Sequence, residues 1–194
     1  MNKKILIIYY SHKGSTNALA NEIALAVEST DCESVVRTVP KINASDTTIS
    51  KDKPVQGPPY VTKNDLIEAS GLIIGSPTRF GNMAAPLKFF IDGTSDLWLN
   101  RTLEGKPFGL FTSTSSMHGG QEMTLFSMAT PFLHHGMIWV GTPLIHELGS
   151  TKTGGSPYGA SHVHLDWNQS LSKEEKIIAS SLGQRVAKIA SLLV

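Results

Sequence analysis

Three short stretches carry residue types that plain connecting loops rarely concentrate: residues 11–16, 76–82 and 112–120, each following an apolar run. In the first, Ser11, Ser15 and Thr16 offer hydroxyls, His12 and Lys13 add basic groups, and Gly14 permits close backbone approach. A helix starting there would aim its unpaired N–H groups and positive dipole end into the loop, which suits a terminal phosphate. The Gly-x-x-x-x-Gly-Lys-Ser/Thr of a nucleoside-triphosphate loop is absent, and so is the triple-glycine spacing of a dinucleotide loop. Taken alone, the stretch reads equally well as a polar turn with a Ser or Thr helix cap. The second stretch holds Pro77, Thr78, Arg79, Phe80, Gly81 and Asn82. Loop amides and one cation at that position would stabilise negative charge on the edge of a flat aromatic cofactor as it is reduced. The competing reading is a Pro-initiated turn with an exposed arginine. The third supplies Thr112, Ser113, Thr114, Ser115, Ser116, Met117, His118 and Gly119, suited to a ribityl chain and a ring edge, or to a flexible solvent loop.

The elements around these loops must place all three together. Residues 4–10 form a continuous apolar, β-branched and aromatic run, the pattern of a strand buried on both faces of a parallel sheet. Leu19, Ile23 and Val27 then recur at helical spacing. Further strands are expected at 35–39, 71–75, 107–112 and 137–140, and helices at about 84–92 and 122–135, with one or two helical turns at 62–69. Residues 40–61 read as an irregular excursion, 93–106 as loop, and 141–170 as a long Gly-, Pro- and Ser-rich segment. Ser172 and Glu175 match the capping-box spacing and open a last amphipathic helix through Ile178, Leu182, Val186 and Ile189. Five strands alternating with helices predict an α/β fold: a doubly wound five-stranded parallel sheet of order 2-1-3-4-5 in three α/β/α layers. Loops at strand carboxyl ends are where such sheets bind ligands.

The 194 residues suit one domain, 1–194, and 40% hydrophobic with 17% charged residues is globular rather than disordered. A formal net charge of +1 with scattered Lys and Arg gives no footprint for nucleic acid and fits poorly with an acidic electron carrier. The single Cys32 excludes an intramolecular disulfide, a cysteine-based zinc site and a cysteine-ligated iron–sulfur cluster. The run at 5–10 is too short for a signal-peptide core, and no stretch approaches the ~20 apolar residues of a membrane span, so a cytoplasmic protein is expected.

Several motifs together resemble a known family. Ser-Pro-Thr-Arg-Phe-Gly-Asn-Met at 76–83, Phe-Phe-Ile-Asp at 89–92, Trp98, His-Gly-Gly-Gln-Glu at 118–122, His134-His135-Gly136-Met137 and Gly-Gly-Ser-Pro-Tyr-Gly-Ala at 154–160 are similar, in order and over nearly the whole chain, to the WrbA-type NAD(P)H:quinone oxidoreductases. The resemblance implies a flavodoxin-like fold binding FMN and two-electron reduction of quinones by NADH or NADPH in a ping-pong cycle. It also implies a homotetramer, a dimer of dimers, with sites formed between subunits. It places the FMN phosphate at residues 11–16, the isoalloxazine at Thr78, Arg79 and Phe80, and the third FMN loop at residues 113–119. Trp98 matches the substrate-facing tryptophan, and His134 the histidine near the flavin, making these two the catalytic candidates. Lys13 stands where the family often has a tyrosine that helps hold the nicotinamide cofactor, and the third loop is one residue longer than its Gly-rich counterpart.

Other residues have simpler readings. If extended, His162 and His164 would face one side like a pair of metal ligands, but with no third ligand nearby no metal site is assigned. His134 and His135 at a helix end suit a C-terminal charge placement as well as a catalytic base. A one-electron flavodoxin carrier or a flavin-binding regulatory protein remains the alternative, although a carrier does not need the long segments 40–61 and 141–170.

Overall fold

A computed structural model describes residues 3–42, 56–165 and 170–193. The apolar run that opens the chain forms strand β1 (Lys3–Tyr9), and helix α1 (Ser15–Glu28) leads back to β2 (Cys32–Thr38). A capping box between Thr62 and Asp65 starts α2 (Lys63–Glu68), which precedes β3 (Gly71–Pro77) and α3 (Ala85–Asp92). Next come α4 (Ser95–Leu99), β4 (Pro107–Thr114), α5 (Gln121–His134) and the two-residue β5 (Ile138–Trp139). After α6 (His146–Ser150) and β6 (Ala160–Val163), the second capping box begins α7 (Lys173–Leu192). The order is β2-β1-β3-β4-β5, every pairing parallel, as expected from the strand–helix alternation.

Each central strand is buried on both faces because alternate residues feed different cores. Leu6, Ile8, Leu72, Ile74, Phe108 and Leu110 pack under Leu87 and Ile91 of α3 and Leu125, Met128 and Phe132 of α5. Ile5, Ile7, Ile73 and Phe111 face Leu19 and Ile23 of α1 and Ile178, Leu182 and Val186 of α7. The packing across β3 is close: a Cβ on Gly75 would stand 2.1 Å from the Phe111 ring.

Four features differ from expectation. Residues 93–106 hold the short helix α4, with Trp98 on it. Strands β3 and β4 run two residues further than expected, so Ser76, Pro77, Ser113 and Thr114 are strand residues, with the hydroxyls of Ser76, Ser113 and Thr114 bonded inside. The expected strand at 137–140 is reduced to two residues, and β6 continues its place: β5 pairs with Pro107 and Phe108 of β4, and β6 with the stretch from Phe111 to Thr114. Four residues of mixed polarity inside a Gly-rich segment carry no periodic signal, so β6 was not legible. Of the excursion at 40–61, residues 43–55 lie outside the described residues, while Tyr60 bridges Thr38 at the end of β2.

Candidate functional site

The carboxyl ends of β1, β3, β4 and β6 converge on one cleft of about 300 Å³. Ser11, His12, Lys13, Ser15 and Thr16 line it from the first loop, Pro77 and Arg79 from the second, and Ser113, Thr114 and Ser115 from the third. Buried hydrogen bonds lock the loops together. The hydroxyls of Thr16 and Ser113 lie 2.9 Å apart, and the Ser113 carbonyl accepts from Thr78 N at 2.9 Å. Ser11 Oγ accepts from Gly14 N at 3.0 Å, which curls the first loop so that Gly14, at φ 99°, becomes the N-cap of α1. That helix start has no side-chain cap and no acidic residue in its first turn. Its amides and dipole therefore face the cleft uncompensated, an arrangement that recruits an anion. Tyr9, whose phenol is pushed up by burial, donates to Asn17 Oδ1 and ties α1 back to β1.

The second loop is a tight turn. Arg79 N and Asn82 O bond at 2.7 Å and Asn82 N and Arg79 O at 3.0 Å, with positive φ at Phe80 (54°) and Gly81 (78°). Gly81 adopts that region without penalty, whereas Phe80 is a bulky residue held there and fully exposed. Thr78 Oγ1 accepts from Gly81 N at 3.2 Å and meets Thr124 Oγ1 at 2.9 Å, anchoring the turn to α5. Arg79 Nη1 donates to Thr78 O, which holds the guanidinium at the cleft.

The third loop closes on one carbonyl: Ser116 O accepts from Thr114 Oγ1, Gly119 N and Gln121 Nε2, and Gln121 also reaches Met117 O at 2.7 Å. Gln121 was not singled out from the sequence, yet it staples the loop. Ser115, Ser116, Met117 and His118 are exposed at its tip. Thr112 is fully buried in β4 and donates to Ser76 O, so it shapes the strand end rather than offering a hydroxyl to the cleft.

A second cavity, about 630 Å³ and more apolar, lies beyond the turn. Asn82 and Met83 form one side, α3 supplies Ile91, α4 supplies Trp98 with Thr94 just before it, and α5 supplies Pro131 and His134. The Trp98 and His134 rings lie 5.4 Å apart at 30°. His135 behind them has its Nε2 3.0 Å from Thr94 Oγ1, whose own proton goes to Ile91 O. The hydroxyl has one hydrogen, so His135 donates from Nε2. Burial, then the neighbouring His134, holds its pKa below the usual imidazole value. The turn therefore has Arg79 on the polar cleft and Asn82 on the apolar cavity, and separates the two.

A family model described as NADPH-dependent FMN reductase matches residues 3–147, three quarters of the chain and all three loops. The chain belongs to the NADPH-dependent FMN reductase family. It is similar to a protein named NAD(P)H dehydrogenase (quinone) from Gluconacetobacter diazotrophicus, 38% identical over 196 residues, with 98% of each chain covered. A protein of the same name from Geobacter sulfurreducens is 38% identical over 200 residues, covering 97% of this chain and 98% of its own. Among solved structures, a flavodoxin, WrbA-like protein from Agrobacterium tumefaciens matches with a TM-score of 0.71 at 23% identity over 100% of both chains. Oxidised Flavodoxin 2 from Bacillus cereus matches at TM-score 0.63 and 19% identity, over 96% of this chain and 99% of that one. The structures bear out the flavodoxin-like fold, and the family model and relatives bear out the resemblance.

The cofactor of an FMN reductase fits the polar cleft on the chemistry of its donors. Hydroxyls, helix amides and the basic groups His12, Lys13 and Arg79 line it, and no carboxylate does so among the described residues. Two further lining residues, His164 and Leu165, lie just beyond β6 and outside the stretch that the FMN reductase model matches. The strand that leads to them is held by a residue the sequence showed only as a helix cap. Glu175 Oε2 accepts from Ser172 N (2.9 Å) and His162 Nδ1 (2.8 Å), and Oε1 accepts from Gly154 N (2.9 Å) and Val163 N (3.0 Å). Burial by itself would raise this carboxyl, but the bonds from His162, Ser172 and Val163 and the attraction of His162 outweigh it and hold the pKa down to about 2. Glu175 is thus an ionised acceptor, and His162 donates from Nδ1. This bond is what the structure assigns to the first member of the His162–His164 pair.

Proposed function

We propose that the protein is an FMN-dependent NAD(P)H:quinone oxidoreductase. The observation that carries this reading is the juxtaposition at residues 78–82 of an anion-suited polar cleft and an apolar cavity walled by Trp98 and His134. The relatives' name supports it. When bound, FMN supplies two-electron transfer from NADH or NADPH to a quinone, in a ping-pong cycle in which the two substrates use one cavity in turn.

The chain's residues divide the remaining work. Ser11, Ser15, Thr16 and the first-turn amides of α1 hold the phosphate, and the Thr16–Ser113 bond keeps the first and third loops at a fixed separation. Arg79 and the amides of the turn favour electron density at the ring edge. Trp98 offers a flat apolar surface that excludes water, and His134 beside it holds or passes a proton at the quinone oxygen. In the same reading the chain works as one domain in the cytoplasm and assembles as a homotetramer. The exposed side chains of Phe80, Leu99, Met123, Phe126 and Leu133 support assembly, since a lone subunit would leave them in water. No helix among the described residues is long and apolar enough to cross a membrane.

Purified protein incubated with FMN, NADH or NADPH and benzoquinone tests the reading. The expected result is retained flavin and NAD(P)H oxidation that needs both FMN and quinone, with parallel double-reciprocal lines. Failure to retain FMN overturns it, and FMN retention without NAD(P)H oxidation favours the electron carrier. Light scattering of the same sample checks for four copies.

A further inference from the structure

The cleft has a wall that none of the three loops supplies. After Val163 pairs with Thr114, His164 N donates to Thr114 O at 2.8 Å, carrying the parallel ladder one step past β6 and setting His164 beside the third loop. Its side chain, half-buried, reaches the same cleft as Ser11, Lys13 and Ser15. Strand β6 owes little to apolar burial of its own, since two of its four residues are the polar Ser161 and His162, both buried. What holds it on the α7 side is Glu175, which binds the Val163 amide directly and the His162 ring through Nδ1, while its other two bonds fasten Gly154 and the start of α7. A carboxylate has about four lone-pair sites, and all are used.

We propose that His164 is a ligand for the cofactor phosphate and that Glu175 is the positioning residue that places it. The inference rests on the reading of the cleft as the FMN site. A charge-assisted or neutral N–H donor from imidazole adds to the hydroxyls and amides of the first loop, and the element that brings it comes from the C-terminal part of the chain. Glu175 touches no cofactor; its clamp decides whether the imidazole faces the phosphate.

FMN and riboflavin differ by that phosphate, so titrating flavin-free protein with each, by fluorescence quenching, isolates the contact. His164→Ala is expected to weaken FMN about tenfold and to leave riboflavin unchanged, the loss appropriate to one hydrogen bond to a charged group. His164→Gln, which keeps an N–H donor, recovers part of that loss, and the ³¹P resonance of bound FMN shifts in both variants. Glu175→Gln lowers the FMN-to-riboflavin affinity ratio in the same direction, and the double variant falls no further than the larger single loss. Where Glu175→Gln is too unstable to titrate, His162→Asn, which removes one arm of the clamp, serves for the same comparison. Equal losses for FMN and riboflavin in His164→Ala, or no loss for either, overturn the inference alone. Fully additive losses in the double variant overturn the positioning role of Glu175. Wild-type protein that binds neither flavin overturns the reading of the cleft and the inference with it.

Discussion

The two cavities on either side of residues 78–82 are built on opposite principles. The polar cleft is completed by the chain's own buried bonds: Thr16 to Ser113, Thr78 to the Ser113 carbonyl, and Glu175 to β6. The Trp98–His134 cavity is more than twice as large and has its key rings partly or largely in water, with Trp98 45% exposed. A buried polar network forfeits stability when one member is lost, whereas an open apolar wall can be trimmed at little cost to folding. Damage to the first region should therefore register in both stability and cofactor affinity, and damage to the second mainly in turnover.

The sharpest way to break this contrast is at Glu175. Glu175→Gln keeps the shape but turns an NH₂ toward donors, and the expected cost is about 3 kcal/mol of unfolding free energy, read from urea denaturation at pH 7. Because the folded-state carboxyl is depressed to about 2, the charge contributes stability that is fully present well above its ordinary value of 4.5. That contribution is lost as pH falls from 4.5 toward 2, so the gap between wild type and variant should narrow over that window. A gap that stays constant to pH 2 would remove ionisation from the explanation. Next in size, Thr16→Val leaves the Ser113 hydroxyl without its partner at 5% exposure and should cost about 1–2 kcal/mol in stability with about a tenfold weaker FMN affinity.

Trp98→Ala tests the other side. It is expected to lower kcat/KM for benzoquinone about tenfold, or about 1.4 kcal/mol in transition-state stabilisation, with FMN affinity unchanged and stability altered by no more than about 0.5 kcal/mol. A large drop in melting temperature would show that the open cavity is a structural core after all. The smallest effect belongs to the turn between the regions. Phe80→Gly removes a bulky residue from φ 54° and should stabilise the separated subunit by about 0.5–1 kcal/mol, while weakening assembly if that ring is covered by another copy. Sedimentation at several concentrations reads both.

Much of the architecture could be read from local pattern. Continuous apolar runs at 4–10 and 71–75 can satisfy their side chains only when buried on two faces, and Leu19, Ile23 and Val27 share a helix face for geometric reasons. The three loops were legible because Ser, Thr and Gly beside a strand end have few other uses in such number. What escaped was short or non-local. Helix α4 has five residues and no room for a period, so Trp98 could not be placed beside His134 by spacing. Strand β6 shows no alternation because its polar residues are satisfied internally, by Gly155 N on Ser161 Oγ and by Glu175 on His162.

The Ser172–Glu175 capping box marks the boundary between the two kinds of information. From sequence, its spacing determined where the last helix begins, because a cap needs only residues three apart. Only the tertiary structure decided what the same carboxylate does with its remaining lone pairs, since Gly154, His162 and Val163 meet it solely through the way the chain returns past β4. Local sequence specifies periodicity, caps and loop chemistry, each a matter of a few adjacent residues. Bringing four strand ends to one cleft, and a histidine to its far wall, depends on pairings between residues up to about a hundred positions apart, as in Thr16 with Ser113.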